Sequence, residues 1–218
     1  MRMDPKTTAI VFQGLQVEFC SPEGKLYPLI AEQLASRRLV ATLIDLLKEA
    51  ITLGVRVYFV PIQFTPDYRE MRQAEGILDD IRRARAFQKG TRGAEPIEEL
   101  RPLLGDMQVL KAKRGLCAFG STDLHERLSR DGIETVAVCG LLTNICVEAT
   151  ARSAYDLGYR VVTLADVTAT KSTEEQTASE RFVFPLLGRV MTSIEFLDGI
   201  RRAEENVIAP ASSDEHTN

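Results

Sequence analysis

The chain has 218 residues, 44% of them hydrophobic, and a formal net charge of -4. That is enough apolar mass for a sizeable core in one domain, and the mild acidity argues against nucleic acid as a partner. Four cysteines (Cys20, Cys117, Cys139 and Cys146) show neither a CxxC pair nor disulfide-scaffold spacing, no apolar run reaches membrane-spanning length, and no signal-peptide core follows Met1. A cytoplasmic protein without a membrane partner is expected.

In chain order, Thr7 to Phe12 is a β-branched and aromatic run that reads as a strand buried on both faces. It leads into Gln13 to Cys20 and the turn-like Ser21-Pro22-Glu23-Gly24. An amphipathic helix is expected from Ile30 to Leu53, closed by Gly54, and a second strand from Val55 to Pro61. Strand–helix–strand order of this kind signals a parallel sheet with crossover helices. Between Gln63 and Gly93 the pattern loosens, and a segment of that length inside a compact domain often covers a site. Its Arg69, Arg72, Arg82, Arg83, Arg85, Lys89 and Arg92 could grip a substrate carboxylate, or simply form a solvated face with the acidic residues among them.

A short helix from Glu95 to Leu100 and a third strand from Met107 to Leu110 follow, then a helix from Thr122 to Arg130 capped by Ser121. Thr135 to Val138 is the fourth strand and Arg160 to Leu164 the fifth, ending at Asp166, which reads as a capping residue. A helix from Thr173 to Phe184, a strand from Arg189 to Met191 and a last helix from Ser193 to Arg202 complete the repeat. Residues 1–204 read as a single domain. Residues 205–218, small and polar after Pro210, read as a disordered tail.

The stretch from Val138 to Val147 carries the chemistry. A buried strand turns at Gly140 and opens a helix whose first turn contains Cys146; Thr143 is its expected N-cap and Gly158 its C-terminal glycine. Unpaired backbone N–H groups and the positive end of the helix dipole favour the thiolate, the reactive form of cysteine. The competing reading is a buried cysteine packing as a small hydrophobe. Ligands of open α/β sheets bind at the carboxyl ends of the strands, so Gly14–Phe19, Pro61–Phe64, Lys111–Phe119 and Gly140–Cys146 should converge.

Taken together these residues resemble the isochorismatase-like cysteine hydrolases, which include nicotinamidases, carbamoylsarcosine amidohydrolases and ureidoacrylate hydrolases. Gly140-Leu141-Leu142-Thr143-Asn144-Ile145-Cys146-Val147 is similar to the family's G-x-x-T-x-x-C-V turn, and Lys113 to Phe119 to its lysine segment. Gly90 to Glu95 and Gly158 to Val161 also fit. The resemblance covers Thr7 to about Arg201. It implies an α/β three-layer fold, Rossmann-like, with a six-stranded parallel sheet of order 3-2-1-4-5-6. It further implies hydrolysis of an amide or ureido C–N bond through a thioester, with Cys146 as nucleophile and Lys113 as the cation beside it. The backbone N–H groups of Leu142 and Cys146 would hold the oxyanion, behind a cis bond between Leu141 and Leu142. A homodimer or homotetramer acting on a small molecule, without a cofactor, is implied as well.

One position departs from the family. Its D-x-Q-x-x-F aligns with Gly14-Leu15-Gln16-Val17-Glu18-Phe19, so Gly14 stands where the aspartate of the triad belongs. A positioned acid or base typically supplies ~10²–10⁴ in rate. Lys113 could instead pair directly with the Cys146 thiolate and protonate the leaving nitrogen. Glu18 or Gln13 could take the missing place, or the chain could bind a small molecule without hydrolysing it. Gln16, Phe19 and Phe64 are candidate substrate contacts, the two aromatics equally suited to closing the core. Some relatives bind a metal through Asp and His after the second strand. Here Gln63 to Asp67 holds no histidine, and His125 and His216 read as packing or surface residues, so no metal is expected. Cys20 and Cys117 could line the site or pair with Cys146, though packing is the plainer role.

Overall fold

The computed structural model describes residues 3–71 and 73–208. Six strands, β1 (Thr8–Gln13), β2 (Arg56–Val60), β3 (Gln108–Val109), β4 (Thr135–Leu141), β5 (Arg160–Ala169) and β6 (Gly188–Met191), form one parallel sheet in the order β3-β2-β1-β4-β5-β6. Helices cover both faces, so the central strands β1 and β4 are buried along their whole length, as their unbroken apolar runs require. On one face Ile10, Phe12, Val57 and Phe59 pack with Leu39, Leu43 and Leu47 of the helix Leu39–Thr52 and with Phe196 and Ile200 of the helix Ser193–Ile208. The Phe12 and Phe59 rings stack at 4.8 Å. On the other face Ala9, Val11, Val136 and Val138 meet Leu124 and Leu128 of the helix Leu124–Arg130 and Ala151 and Ala154 of the helix Glu148–Asp156. Each fully buried aliphatic or aromatic side chain contributes roughly 1.5–3 kcal/mol, which makes these two layers the main support of the sheet.

Several boundaries differ from the sequence expectation. The helix expected from Ile30 to Leu53 is two helices, Ala31–Ser36 and Leu39–Thr52, separated by Arg38 at φ 49°. Beside the break the Arg37 guanidinium reaches the Ala165 carbonyl (2.7 Å) and Glu180 (3.2 Å). Ser121 does not cap its helix, because its hydroxyl accepts the Arg114 N–H (2.9 Å). The region after Glu95 is a 3-10 helix, Glu98–Asp106, with Pro102 inside it. Strand β5 runs on to Ala169, and the last helix runs to Ile208, past the domain boundary expected at residue 204. Arg72, His216 and the tail beyond Ile208 lie outside the described residues. Among the described residues no helix is long and apolar enough to cross a membrane.

Candidate active site

The carboxyl ends of β1, β2 and β4 meet as the topology demands. Gln13 pairs with Gly140 across β1 and β4, and Ile62, just beyond β2, bridges to Lys113. Gln16 binds the segments together. Its Oε1 accepts the Ile62 N–H (2.7 Å), and its Nε2 donates to the carbonyls of Ile62 (2.8 Å) and Ala94 (2.7 Å). Gln16, expected as a substrate contact, spends both amide N–H groups and one lone pair of its oxygen on the backbone and so clasps these segments.

Cys146 stands where β4 gives way to helix, and it is 6% exposed. The helix opens with a π turn, Thr143–Val147, in which the Leu142 carbonyl receives the N–H groups of both Cys146 (2.9 Å) and Val147 (3.0 Å). π turns of this kind recur at functional sites. The Leu141–Leu142 peptide is cis, as the resemblance implied. Two expectations need correction. Thr143 is not the N-cap; its hydroxyl donates to Gln176 Oε1 (2.6 Å). The Cys146 N–H, assigned to an oxyanion, is occupied by Leu142.

Lys113 is fully buried, and its ammonium donates to the Leu116 carbonyl. Among the described residues no carboxylate forms an ion pair with it. A buried ammonium without a counter-charge is costly, so Lys113 calls for an anion from Cys146 or from a ligand. The lysine segment is tied to the cysteine helix by Ala118, whose N–H donates to Thr150 Oγ1 (3.0 Å) one turn beyond Cys146.

Gly14 has φ +84°, and a Cβ there would lie 2.8 Å from the Leu141 Cβ and 3.0 Å from its carbonyl oxygen. No side chain enters the site from this position. Nor does Glu18 replace the missing carboxylate. Its oxygens receive the N–H groups of Phe87 (3.0 Å) and Lys25 (3.2 Å), and it lies 3.8 Å from the Lys25 ammonium. Gly93 closes over it so tightly that a Cβ would fall 2.4 Å from Oε2. Glu18 therefore braces the covering loop. Gln13 instead turns toward the cysteine helix, donating through Nε2 to Thr150 Oγ1 (3.2 Å).

The remaining candidates resolve into packing. Phe19 meets Phe87 edge-on at 5.1 Å and Phe64 lies 5.8 Å from Tyr68, both within the core, so neither offers an open face to a planar substrate. The Cys20 thiol faces the Gly14 carbonyl at 3.6 Å, and burial pushes its pKa up to about 12. Cys117 donates to Ser153 Oγ (3.1 Å). Neither is paired with Cys146; all four cysteines are free thiols. His125 contacts the Tyr159 hydroxyl (2.8 Å), and Asp166 receives the Ser193 N–H (2.7 Å) and hydroxyl (2.6 Å), a capping role as expected. Arg82 and Arg83 pair with Asp79 and Arg92 with Glu23, the solvated-face alternative to a carboxylate clamp. Among the described residues no three His, Cys, Asp or Glu side chains come together as a metal cage.

What the sequence reading missed is the scaffold behind the nucleophile. Gln176 holds Thr143 through Oε1 and donates through Nε2 to Thr168 (2.9 Å) and Glu180 (2.6 Å). Asn144 donates to Glu175 (3.1 Å) and accepts from Thr170 (2.6 Å), while Glu148 accepts from Ser179 (3.1 Å). The partners of Thr143, Asn144 and Glu148 lie 26 to 33 positions away, beyond the reach of any local sequence signal.

The family model for the Isochorismatase domain matches residues 8–195. The isochorismatase family protein YwoC of Bacillus subtilis is 44% identical over 108 residues, half of this chain and 56% of its own. The chain thus spans about half the length of YwoC and of several other curated relatives that it matches. The ureidoacrylate amidohydrolase RutB of Caulobacter segnis is 26% identical over 89% of this chain and 86% of its own. Among solved structures, a cysteine hydrolase from Pseudomonas syringae pv. phaseolicola superposes with a TM-score of 0.80 at 26% identity, covering 93% of this chain and 96% of the other.

Proposed function

Because the chain belongs to the isochorismatase family, we propose that it hydrolyses an amide or ureido C–N bond of a small molecule through a thioester on Cys146. The observation that carries this reading is a buried cysteine and a fully buried lysine at the same end of the sheet, on segments joined by the Ala118 N–H to Thr150. RutB, a ureidoacrylate amidohydrolase by name, supports the choice of bond.

In this reading the Cys146 sulfur attacks the carbonyl carbon. The C–N bond breaks as the Lys113 ammonium gives its proton to the departing nitrogen. Water then splits the thioester, releasing the acid and returning the thiol. Lys113 supplies the charge for the thiolate that an aspartate would otherwise help to create. The Leu142 N–H would face the oxyanion; the Cys146 N–H would have to leave the Leu142 carbonyl to join it.

The test is mass spectrometry and ammonia release on a panel of primary carboxamides and N-carbamoyl acids. An acyl adduct of Cys146 is expected, with turnover falling about 10³-fold or more in Cys146→Ser. Hydrolysis that survives Cys146→Ser would overturn the mechanism. A second reading, binding without turnover, is favoured by the side-chain-free Gly14 and by the occupied Cys146 amide. It predicts retention of a small amide with neither adduct nor ammonia. Self-association into a homodimer or homotetramer belongs to the same proposal, supported by Phe182 and Leu186, 66% and 76% exposed one turn apart. Sedimentation velocity would read it directly.

A further inference from the structure

Three buried glutamines serve this end of the sheet, and two of them are saturated. Gln16 spends its amide on Ile62 and Ala94, and Gln176 on Thr143, Thr168 and Glu180. Gln13 is the exception. It is 2% exposed, its Nε2 donates to Thr150, and its Oε1 has no hydrogen-bond partner among the described residues. A buried acceptor left unpaired costs about 1–3 kcal/mol, which a water or a ligand N–H would relieve.

Its surroundings favour the ligand. Gln13 is the last residue of β1 and pairs with Gly140. The hydroxyl that holds its Nε2 belongs to Thr150, one turn beyond Cys146, and the same hydroxyl takes the N–H of Ala118. Ala118 lies two residues past Leu116, whose carbonyl receives the Lys113 ammonium. The Gln13 amide is therefore fixed between the lysine segment and the cysteine helix, and the next residue, Gly14, has no side chain to cover it. A carboxamide oxygen cannot take up a proton at neutral pH, but it accepts from an N–H or O–H. Lys113 has three N–H groups, of which Leu116 uses one. The two side chains thus present donors and one acceptor, the complement of a group that carries both C=O and N–H.

We propose that Gln13 contacts the substrate, its Oε1 accepting the N–H of the bound amide or ureide. It takes over the acceptor role of the family's carboxylate and not its proton transfer. The inference rests on the reading of Cys146 as nucleophile and adds a specificity: substrates bearing N–H over N,N-disubstituted ones.

Two alkylating probes separate these claims. Iodoacetamide has the N–H, while N,N-dimethyl-iodoacetamide keeps the carbonyl and lacks it. Rates of Cys146 modification are followed by peptide mass mapping in the full chain, each divided by the rate with free cysteine. Gln13→Leu is expected to lower the iodoacetamide rate about tenfold, the scale of one hydrogen bond to a buried acceptor, and to leave the dimethyl rate unchanged. Gln13→Glu, which keeps an acceptor and the side-chain shape, is expected to retain the preference; its loss there would overturn the proposal even where the leucine variant fails to fold. Equal falls with both probes would mean a packing role, or an amide turned to grip the shared carbonyl, and would overturn it too. Failure of wild-type Cys146 to react with either probe while Cys20 or Cys117 does would sink the nucleophile reading itself.

Discussion

The ends of β1 and β4 lie side by side, and each turns on a glycine at positive φ, 84° at Gly14 and 102° at Gly140. Their reasons differ. A Cβ on Gly140 would fall 2.1 Å from the Gln13 carbonyl oxygen, a backbone atom paired into the sheet, so only glycine fits. At Gly14 the overlap is smaller, with the Leu141 Cβ at 2.8 Å and its carbonyl oxygen at 3.0 Å. The β4 end carries Cys146 on its turn into helix. The β1 end holds a backbone shape that an L side chain enters only with strain. A side chain introduced at Gly14 therefore meets backbone strain as well as crowding.

The largest effect is expected from Gly140→Ala. The overlap with Gln13 displaces paired backbone at the centre of the sheet, and a loss of about 4 kcal/mol or more should appear as a large drop in Tm. A mild effect would mean that the β4 turn is no more constrained than its neighbour.

Next comes Lys113→Met, similar in volume and uncharged. If Lys113 stabilises the Cys146 thiolate, the rate of Cys146 alkylation at pH 7 should fall about 10–100-fold without a matching loss of Tm. An unchanged rate would detach the lysine from the sulfur.

Gly14→Asp sharpens the comparison further. Strain at φ +84° and crowding against Leu141 should cost about 1–3 kcal/mol in thermal unfolding, with no gain in amide hydrolysis. A large gain would show that the β1 end retains the family's geometry after all.

The smallest effect lies at the opposite end of the sheet. Asp131 accepts the Tyr58 hydroxyl (2.6 Å), and that bond, helped by Arg130 and Arg56, holds its carboxyl below the usual range. A depressed carboxyl contributes stability that is complete above its ordinary value of about 4 and is lost as pH falls through the lower folded one. Asp131→Asn should cost about 1 kcal/mol or less near pH 7 and flatten the loss of Tm on acidification. Cys146 alkylation should not change, which makes this variant a control for the others.

The succession of strands and helices was legible from sequence because it is carried locally, while the order 3-2-1-4-5-6 came from the family resemblance. Apolar runs separated by amphipathic stretches dictate a parallel sheet, and a sheet of that kind brings strand ends together whatever their side chains. Gly140 and Cys146 stand out from the local strand-to-helix pattern, and Lys113 and Gly14 only from the family resemblance. The break at Arg38 does not stand out, and Arg37 beside it finds its partners, Ala165 and Glu180, more than 120 residues away. The same holds for the amide groups. The sequence does not reveal that Gln16 clasps loops, that Gln176 seats the cysteine turn or that Gln13 keeps a buried oxygen open. Hydrogen-bond saturation depends on which backbone and hydroxyl groups arrive from distant segments, and only the folded chain brings them together.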